Sequence, residues 1–393
     1  MHECTNTLKG ENISMKIIIA PDSYKGSFSA IEVADSIERG IKNVYSNADI
    51  IKIPVADGGE GTVDALVLGT NGTYEEVEVV GPLGNKVLAK YGILNENIAV
   101  IEMAAASGLT LINKEELNPL ITTTYGTGQL IKLAMEKGIR KIYLGLGGSG
   151  TNDGGVGMAQ ALGVSFKDKI GNEIGYGGGE LDKIEEIDFS KIHPLLKETE
   201  IMVISDVQNP LCGKTGASYV YGPQKGGTKE TIEILDRNLK YFGEKVKKFM
   251  GKDIMDIPGS GAAGGLGGGL IAFCDATIYS GIDKVLDIMD IDIHLKDTDL
   301  VITGEGKIDG QSVFGKVPVG VAKRAKKYDI PVIAIVGSVG DGACKVYDYG
   351  VDAIFDIIDR PMALEEAMEE VDKLIESTVT NVMRIIQLSK KFI

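Results

Sequence analysis

Cysteine and histidine are scarce in this 393-residue chain. The four cysteines, Cys4, Cys212, Cys274 and Cys344, form no CxxC pair, and His2, His193 and His294 lie far apart. Neither a zinc site nor a disulfide framework is expected, and the sparse cysteines point to a reducing, cytoplasmic compartment. With histidine so thin, any general base is expected to be Asp, Glu or Lys. Clustered positive charge is missing too. The net charge is −15 and no Lys/Arg-rich block occurs, so no nucleic-acid partner is expected. Residues 1–14, "MHECTNTLKGENIS", lack an apolar core and read as a polar extension, with Met15 as an alternative start. The longest uncharged run, Ile257–Cys274, is too rich in glycine for a membrane helix, at about 1 kcal/mol per glycine. No membrane partner is expected.

Glycine is in excess, with 52 residues gathered largely in loops. Such clusters allow positive φ and close approach of backbone to ligand, although ordinary turns use many of them. "MKIIIAPDSYKGSFSAIEVADSIERGI" reads as strand, loop and helix, with Ser29 and Glu32 as a capping box and an apolar stripe over Ile31, Ala34, Ile37 and Ile41. "DIIKIPVADGGEGTVDALVLG" repeats the pattern, and two βα units argue for a parallel, doubly wound sheet. "YEEVEVVGPLGNKVLAKYGIL" reads as a hairpin. The βα pattern returns from Asp299, with helices expected near Val319–Lys327 and Leu364–Leu388. The expected fold class is α/β: a discontinuous Rossmann/flavodoxin-like parallel-sheet domain (residues 1–73 and 284–393) interrupted by a mixed α/β domain (74–283).

Six loops carry candidate chemistry. Gly145 to Gly150 reads GxGxxG after a strand, but Thr151 to Gly155 separate it from the next helix, and Asp153 would repel a pyrophosphate. A loop offering amides and a carboxylate together suits hydroxyls or a metal–phosphate complex. A second GxGxxG, Gly259 to Gly264, fits tight helix packing as well as it fits phosphate. Gly310 to Lys316 approaches a phosphate loop, but Val317 stands where Ser or Thr is needed. "APDSYKGS" puts Asp22, Ser23 and Lys25 at the end of the first strand, and "PVADGGEGT" puts Asp57 and Glu60 in the matching loop of the next unit. First-strand loops of doubly wound sheets reach the ligand crevice; helix capping is the plainer reading of the two acids. "SDVQNPLCG" ends a strand in Asp206, followed by Asn209, where either a base or metal ligand or a turn-capping side chain would serve.

"MKIIIAPDSYKGSFSA", "PVADGGEGT", "TTTYGTGQLI", "LGGSGTNDGGVGMAQALG", "SDVQNPLCG", "GASYVYGPQKG", "GSGAAGGLGGGL" and "DLVITGEGKIDGQSVFGKVP" together closely resemble the bacterial type 1 glycerate kinases from about Met15 to the last helix. The departures are small: Gly150 stands where many members have Ala, and Lys307 where many have Arg. The resemblance implies phosphorylation of D-glycerate by ATP with Mg²⁺, usually at the 2-hydroxyl to give 2-phosphoglycerate, at a site between the two domains, and it is compatible with a homodimer. The motifs do not themselves assign the base; strand-end placement makes Asp206 the first candidate for proton acceptor, and with Lys25, on the substrate carboxylate, it completes the catalytic candidates. Asp22, Ser23, Asp57, Glu60 and Asn209 are the substrate-binding candidates. Gly147, Gly148, Ser149, Thr151, Asn152, Gly304, Lys307 and Lys316 are expected to hold ATP, and Asp153 the metal. Two other functions fit the loops alone: an NAD(P)-dependent hydroxy-acid dehydrogenase and a non-catalytic sugar-acid binding protein.

Overall fold

The structure is a computed structural model that describes residues 15–313 and 315–389. The polar extension, Cys4, His2 and Phe314 of the Gly310 to Lys316 loop lie outside the described residues. The chain divides into two compact units, the first closing at Asp57 and resuming at Ile282, the second running Gly58–Gly281.

In the first unit, Ile17, Ile18 and Ile19 are fully buried, as expected of a parallel strand covered on both faces. That strand, Lys16–Pro21, lies in a five-stranded sheet with the order Ala353–Asp356, Val332–Val336, Leu300–Glu305, Lys16–Pro21, Asp49–Lys52. All its pairings are parallel. The helix Ala30–Lys42 begins with the expected Ser29–Glu32 capping box. Its buried stripe, including Ala34, Ile37 and Ile41, packs on the helix Val371–Ser389. Gly40 makes that crossing close, since a Cβ there would sit 2.7 Å from Val379 Cβ. Numbered within the unit, the strand order is 2-1-3-4-5, the flavodoxin-like arrangement. The chain departs to opposite sides after Lys16–Pro21 and Leu300–Glu305, and this opens a crevice at their carboxyl ends.

The second unit holds a six-stranded mixed sheet, ordered Thr277–Tyr279, Glu200–Ile204, Lys141–Gly145, Ile98–Glu102, Lys86–Asn95, Thr73–Val80. The last two strands form the expected antiparallel hairpin. Its core gathers Tyr91, Ile101, Met103, Leu130, Phe166 and Phe242, all fully buried.

Three expectations shift. The first boundary falls at Asp57 rather than at residue 73, and the second at Gly281 rather than 283. The helix Thr62–Gly69 packs on Lys86–Asn95 and Ile98–Glu102, and Gly92 admits it, because a Cβ there would lie 2.3 Å from Val67 Cγ2. A repeated βα pattern specifies the helix but not which sheet it covers. The expected helix Leu364–Leu388 breaks at Glu370 into Leu364–Glu369 and Val371–Ser389, and the one near Val319 spans Val317–Ala325. The run Ile257–Cys274 folds as a turn, Ala262–Gly265, and a buried helix, Leu266–Cys274. No helix among the described residues is long and apolar enough to cross a membrane.

Candidate active site

All five parallel strands of the first unit send their carboxyl-end loops to one cleft of about 660 Å³. Such a position is where open α/β sheets bind ligands. The segment after Ala353–Asp356 lines the cleft with apolar Ile357, Met362, Leu364, Met368 and Val371, while Asp22, Lys25, Asp57, Glu305, Lys307 and Lys316 come from the ends of Lys16–Pro21, Asp49–Lys52 and Leu300–Glu305 and the loops after them. The first loop is fixed at both ends. Tyr24 donates its hydroxyl to the Ile335 carbonyl at 2.9 Å, and Ser27 donates to the Met368 carbonyl at 3.1 Å. Burial raises the Tyr24 pKa, which keeps that hydroxyl a donor.

The carboxyl groups are crowded. Asp22 is 6% exposed and accepts from the Ser23 N–H at 2.7 Å and hydroxyl at 3.3 Å. Burial pushes its pKa up to about 7, aided by the negative charge of Asp57 and opposed by Lys25. Burial likewise raises Glu305, against the pull of the Ser312 hydroxyl and Lys316. Ser312 donates to Glu305 at 2.6 Å, and the Lys316 ammonium lies 3.4 Å away. Lys307 is 3.6 Å from Asp309. Among the described residues, no three acidic, histidine or cysteine side chains stand close enough to cage a metal. Mg²⁺ needs no such cage, since it is held by one or two carboxylates with substrate phosphates and water. Asp22 and Asp57 fit that demand, because a cation would offset the burial and the Asp57 charge that together raise the Asp22 pKa.

The second unit gathers the GxGxxG loop. Its strand ends at Gly145 and its helix, Val156–Ala161, starts only after Gly155, so the amides of the motif do not form a helix N-terminus. Gly147 is needed for packing, since a Cβ there would meet Gly59 Cα at 2.5 Å; Gly148 has φ +71°. Ser149, Thr151 and Asn152 are all buried. Asn152 donates to the Ser218 hydroxyl at 3.0 Å.

The metal role expected of Asp153 is corrected, and the other candidates take differing surroundings. Asp153 is fully buried and accepts four hydrogen bonds, from the Thr124 N–H and hydroxyl and the Gly155 and Gly157 N–H groups. A carboxylate so enclosed and so fully satisfied ties the loop to the helix start and is not open to a metal. Gly304 lies within the strand Leu300–Glu305. A Cβ there would strike the Ile335 carbonyl at 2.1 Å, so its small size serves the sheet. Asp57 and Glu60 fall on opposite sides of the unit boundary, with Glu60 exposed. Asn209 donates to the Thr215 carbonyl at 2.7 Å and accepts from Tyr221 at 2.8 Å, which shapes its own loop. Asp206 does follow the strand Glu200–Ile204, and its Oδ1 accepts from the Ser280 hydroxyl at 3.0 Å and the Gly281 N–H at 2.8 Å. Lys25, Ser23, Asp22 and Asp57, expected on the substrate, line one cleft with Lys307 and Lys316, expected on ATP.

A family model described as the glycerate kinase family matches residues 17–387. The chain belongs to the glycerate kinase family. It is 51% identical to the glycerate kinase of Halalkalibacterium halodurans over 367 residues, covering 93% of this chain and 97% of that one. It is 51% identical to the glycerate 2-kinase of Escherichia coli K12, covering 90% and 93%. A crystal structure from Salmonella typhimurium LT2 matches with TM-score 0.87 at 46% identity, over 96% of this chain and 100% of that one. Within this family fold, sequence reasoning passed over Glu305, Tyr24, Glu102 and Lys225. Glu102, at the end of the strand Ile98–Glu102, accepts from the Val63 N–H at 2.8 Å, and burial lifts its pKa to about 7. Glu305 and Glu102 share a signal that was there to read: a lone acid closing an apolar strand.

Proposed function

We propose that the protein transfers the γ-phosphoryl group of ATP to the 2-hydroxyl of D-glycerate, giving 2-phosphoglycerate. The observation that carries this reading is the division of the first-unit cleft's lining between an apolar segment and lysine-bearing loops at the sheet's switch point. A nucleoside triphosphate has that same division. Its base would lie against Met362, Met368 and Val371, and its phosphates toward Lys25, Lys307 and Lys316. Asp22 and Asp57 would hold Mg²⁺, which supplies charge neutralisation to the transferring phosphoryl group. Asp206 is the proton acceptor we assign to the substrate hydroxyl. Its place at a strand end supports that role, and its second duty is to the backbone at Gly281. The three described cysteines are free, which suits a cytoplasmic enzyme.

The test is ADP release with D-glycerate and Mg-ATP, with the product read by phosphorus NMR. Glycerate-dependent ADP and a 2-phosphoglycerate resonance are expected. No glycerate-dependent ADP would overturn the activity, and a 3-phosphoglycerate resonance would overturn the position of transfer.

A further inference from the structure

Lys225 is buried to 1% exposure in the segment that reads GPQKG. Its ammonium donates to the Ser149 hydroxyl oxygen at 2.7 Å and to the Thr151 carbonyl at 2.6 Å. Both acceptors are neutral, and among the described residues no carboxylate forms an ion pair with it. Among the described residues, the charged group acting on it is Asp153, whose oxygens are already taken up by Thr124, Gly155 and Gly157. A buried ammonium without a counter-ion is unfavourable unless something else requires it.

The direction of the Ser149 contact says what that requirement is. An ammonium has only donors, so the Ser149 oxygen must accept from it and the Ser149 proton is left over. No acceptor for that proton is found among the described residues. Two residues on in the same loop, the Thr151 hydroxyl is buried without a hydrogen-bond partner. A buried cation, an unused hydroxyl donor and a second unsatisfied hydroxyl therefore converge on one glycine loop. What complements all three is an oxyanion.

We propose that Lys225 is a positioning residue that turns Ser149 into a hydroxyl donor for a substrate oxyanion, either the carboxylate of glycerate or a phosphate oxygen of ATP. This rests on the activity proposed above. The contact is charge-assisted through Lys225, and it is made only when the ligand arrives. Burial lowers the Lys225 pKa to about 7, so near neutrality the free enzyme holds this proton weakly. An arriving anion would draw the proton on, and affinity should fall as pH rises. If only the protonated form binds, linkage gives a loss of about 25-fold between about pH 6.5 and 8.5.

The experiment is calorimetric titration of the full-length protein, at those two pH values, with D-glycerate, ATP and inorganic phosphate separately. Wild type, Lys225→Met and Ser149→Ala are compared, with KM and kcat for both substrates. Expected is a rise of about tenfold or more in the KM of one substrate in both variants, and loss of its pH dependence in Lys225→Met. Effects on the D-glycerate KM identify the carboxylate as the oxyanion, and effects on the ATP KM identify phosphate. If Lys225→Met does not fold, Ser149→Ala decides alone, because it keeps the lysine. Unchanged affinity for every probe in Ser149→Ala overturns the proposal. So does a folded Lys225→Met that keeps the wild-type pH dependence. Absence of glycerate phosphorylation by wild type would overturn the proposed activity, while phosphate binding would still report on the loop.

Discussion

Asp22 and Asp206 are both strand-end carboxylates, and their surroundings set them different tasks. Asp22 is enclosed, beside Asp57 and Glu305, and its pKa stands near 7 against an ordinary value of 3.8. The folded state therefore binds this proton more tightly than the unfolded chain does. Its contribution to stability is fully present below about pH 4 and is lost as pH rises through 7. Asp22→Asn removes the buried charge, so we expect its melting temperature at pH 8 to exceed that of the wild type, with the difference closing at pH 5. If Asp22 holds the metal, kcat should fall by about 10²-fold or more in the same variant. A lowered melting temperature at pH 8 would show that the crowding is already relieved in the free protein. Asp206→Asn poses the complementary question. The amide oxygen can still accept from Ser280 and Gly281, so the melting curve should barely move. A proton acceptor replaced by an amide should lose about 10²–10⁴ in kcat. Near-normal kcat would reduce Asp206 to its backbone contact.

Glycines hold the elements of the second unit at distances that no side chain allows. The turn Ala262–Gly265 lies directly on the glycine loop, and a Cβ at Gly264 would fall 2.0 Å from the Thr151 carbonyl and 2.7 Å from Asn152 Cα. Gly264 also has φ +67°. Gly84, in the hairpin turn, has φ +85° but open space around it. The two sites share the dihedral penalty and differ in packing. Gly84→Ala should cost about 1–2 kcal/mol, and Gly264→Ala about 2–4 kcal/mol, with overpacking added to strain. Urea denaturation of both variants measures the difference. Equal midpoints would mean that the turn can withdraw from Thr151 without loss. The glycine-rich segments were plain in the sequence, but whether they touched phosphate or backbone was not. Both uses require a missing Cβ, and only the neighbouring element tells them apart.

At the scale of the molecule, the two units differ in how they can be assembled. The core of the second unit, with Tyr91, Leu130, Phe166 and Phe242, is drawn entirely from residues within 58–281. The first unit's core joins Ile17, Ile19, Val33 and Ile37 to Leu300, Ile302, Leu374 and Val379, from both ends of the chain. A polypeptide of residues 58–281 should therefore fold by itself, with a cooperative melt and near-UV dichroism. Residues 15–57 alone should not, because their strand pairs with Leu300–Glu305 and their helix packs on Val371–Ser389. A 58–281 fragment with only far-UV signal and no cooperative transition would show that its core depends on the first unit.

The apolar runs, the Ser29–Glu32 cap and the Gly-Pro-Leu-Gly-Asn turn act over a few neighbouring residues. They determined the strands, the first helix and the hairpin from sequence alone, and the long motifs identified the family. Other features depended on residues hundreds of positions apart. The helix Thr62–Gly69 could have covered either sheet, and packing at Gly92 settled which. Asp153 could have been a metal ligand until Thr124, Gly155 and Gly157 surrounded it. Lys225 resembled any solvated lysine until burial set its ammonium on Ser149 and Thr151. Sequence pattern fixes which face of an element is apolar. Burial and the donors around a charged group arise only when distant elements meet, and these decide whether that group binds a ligand or holds the fold.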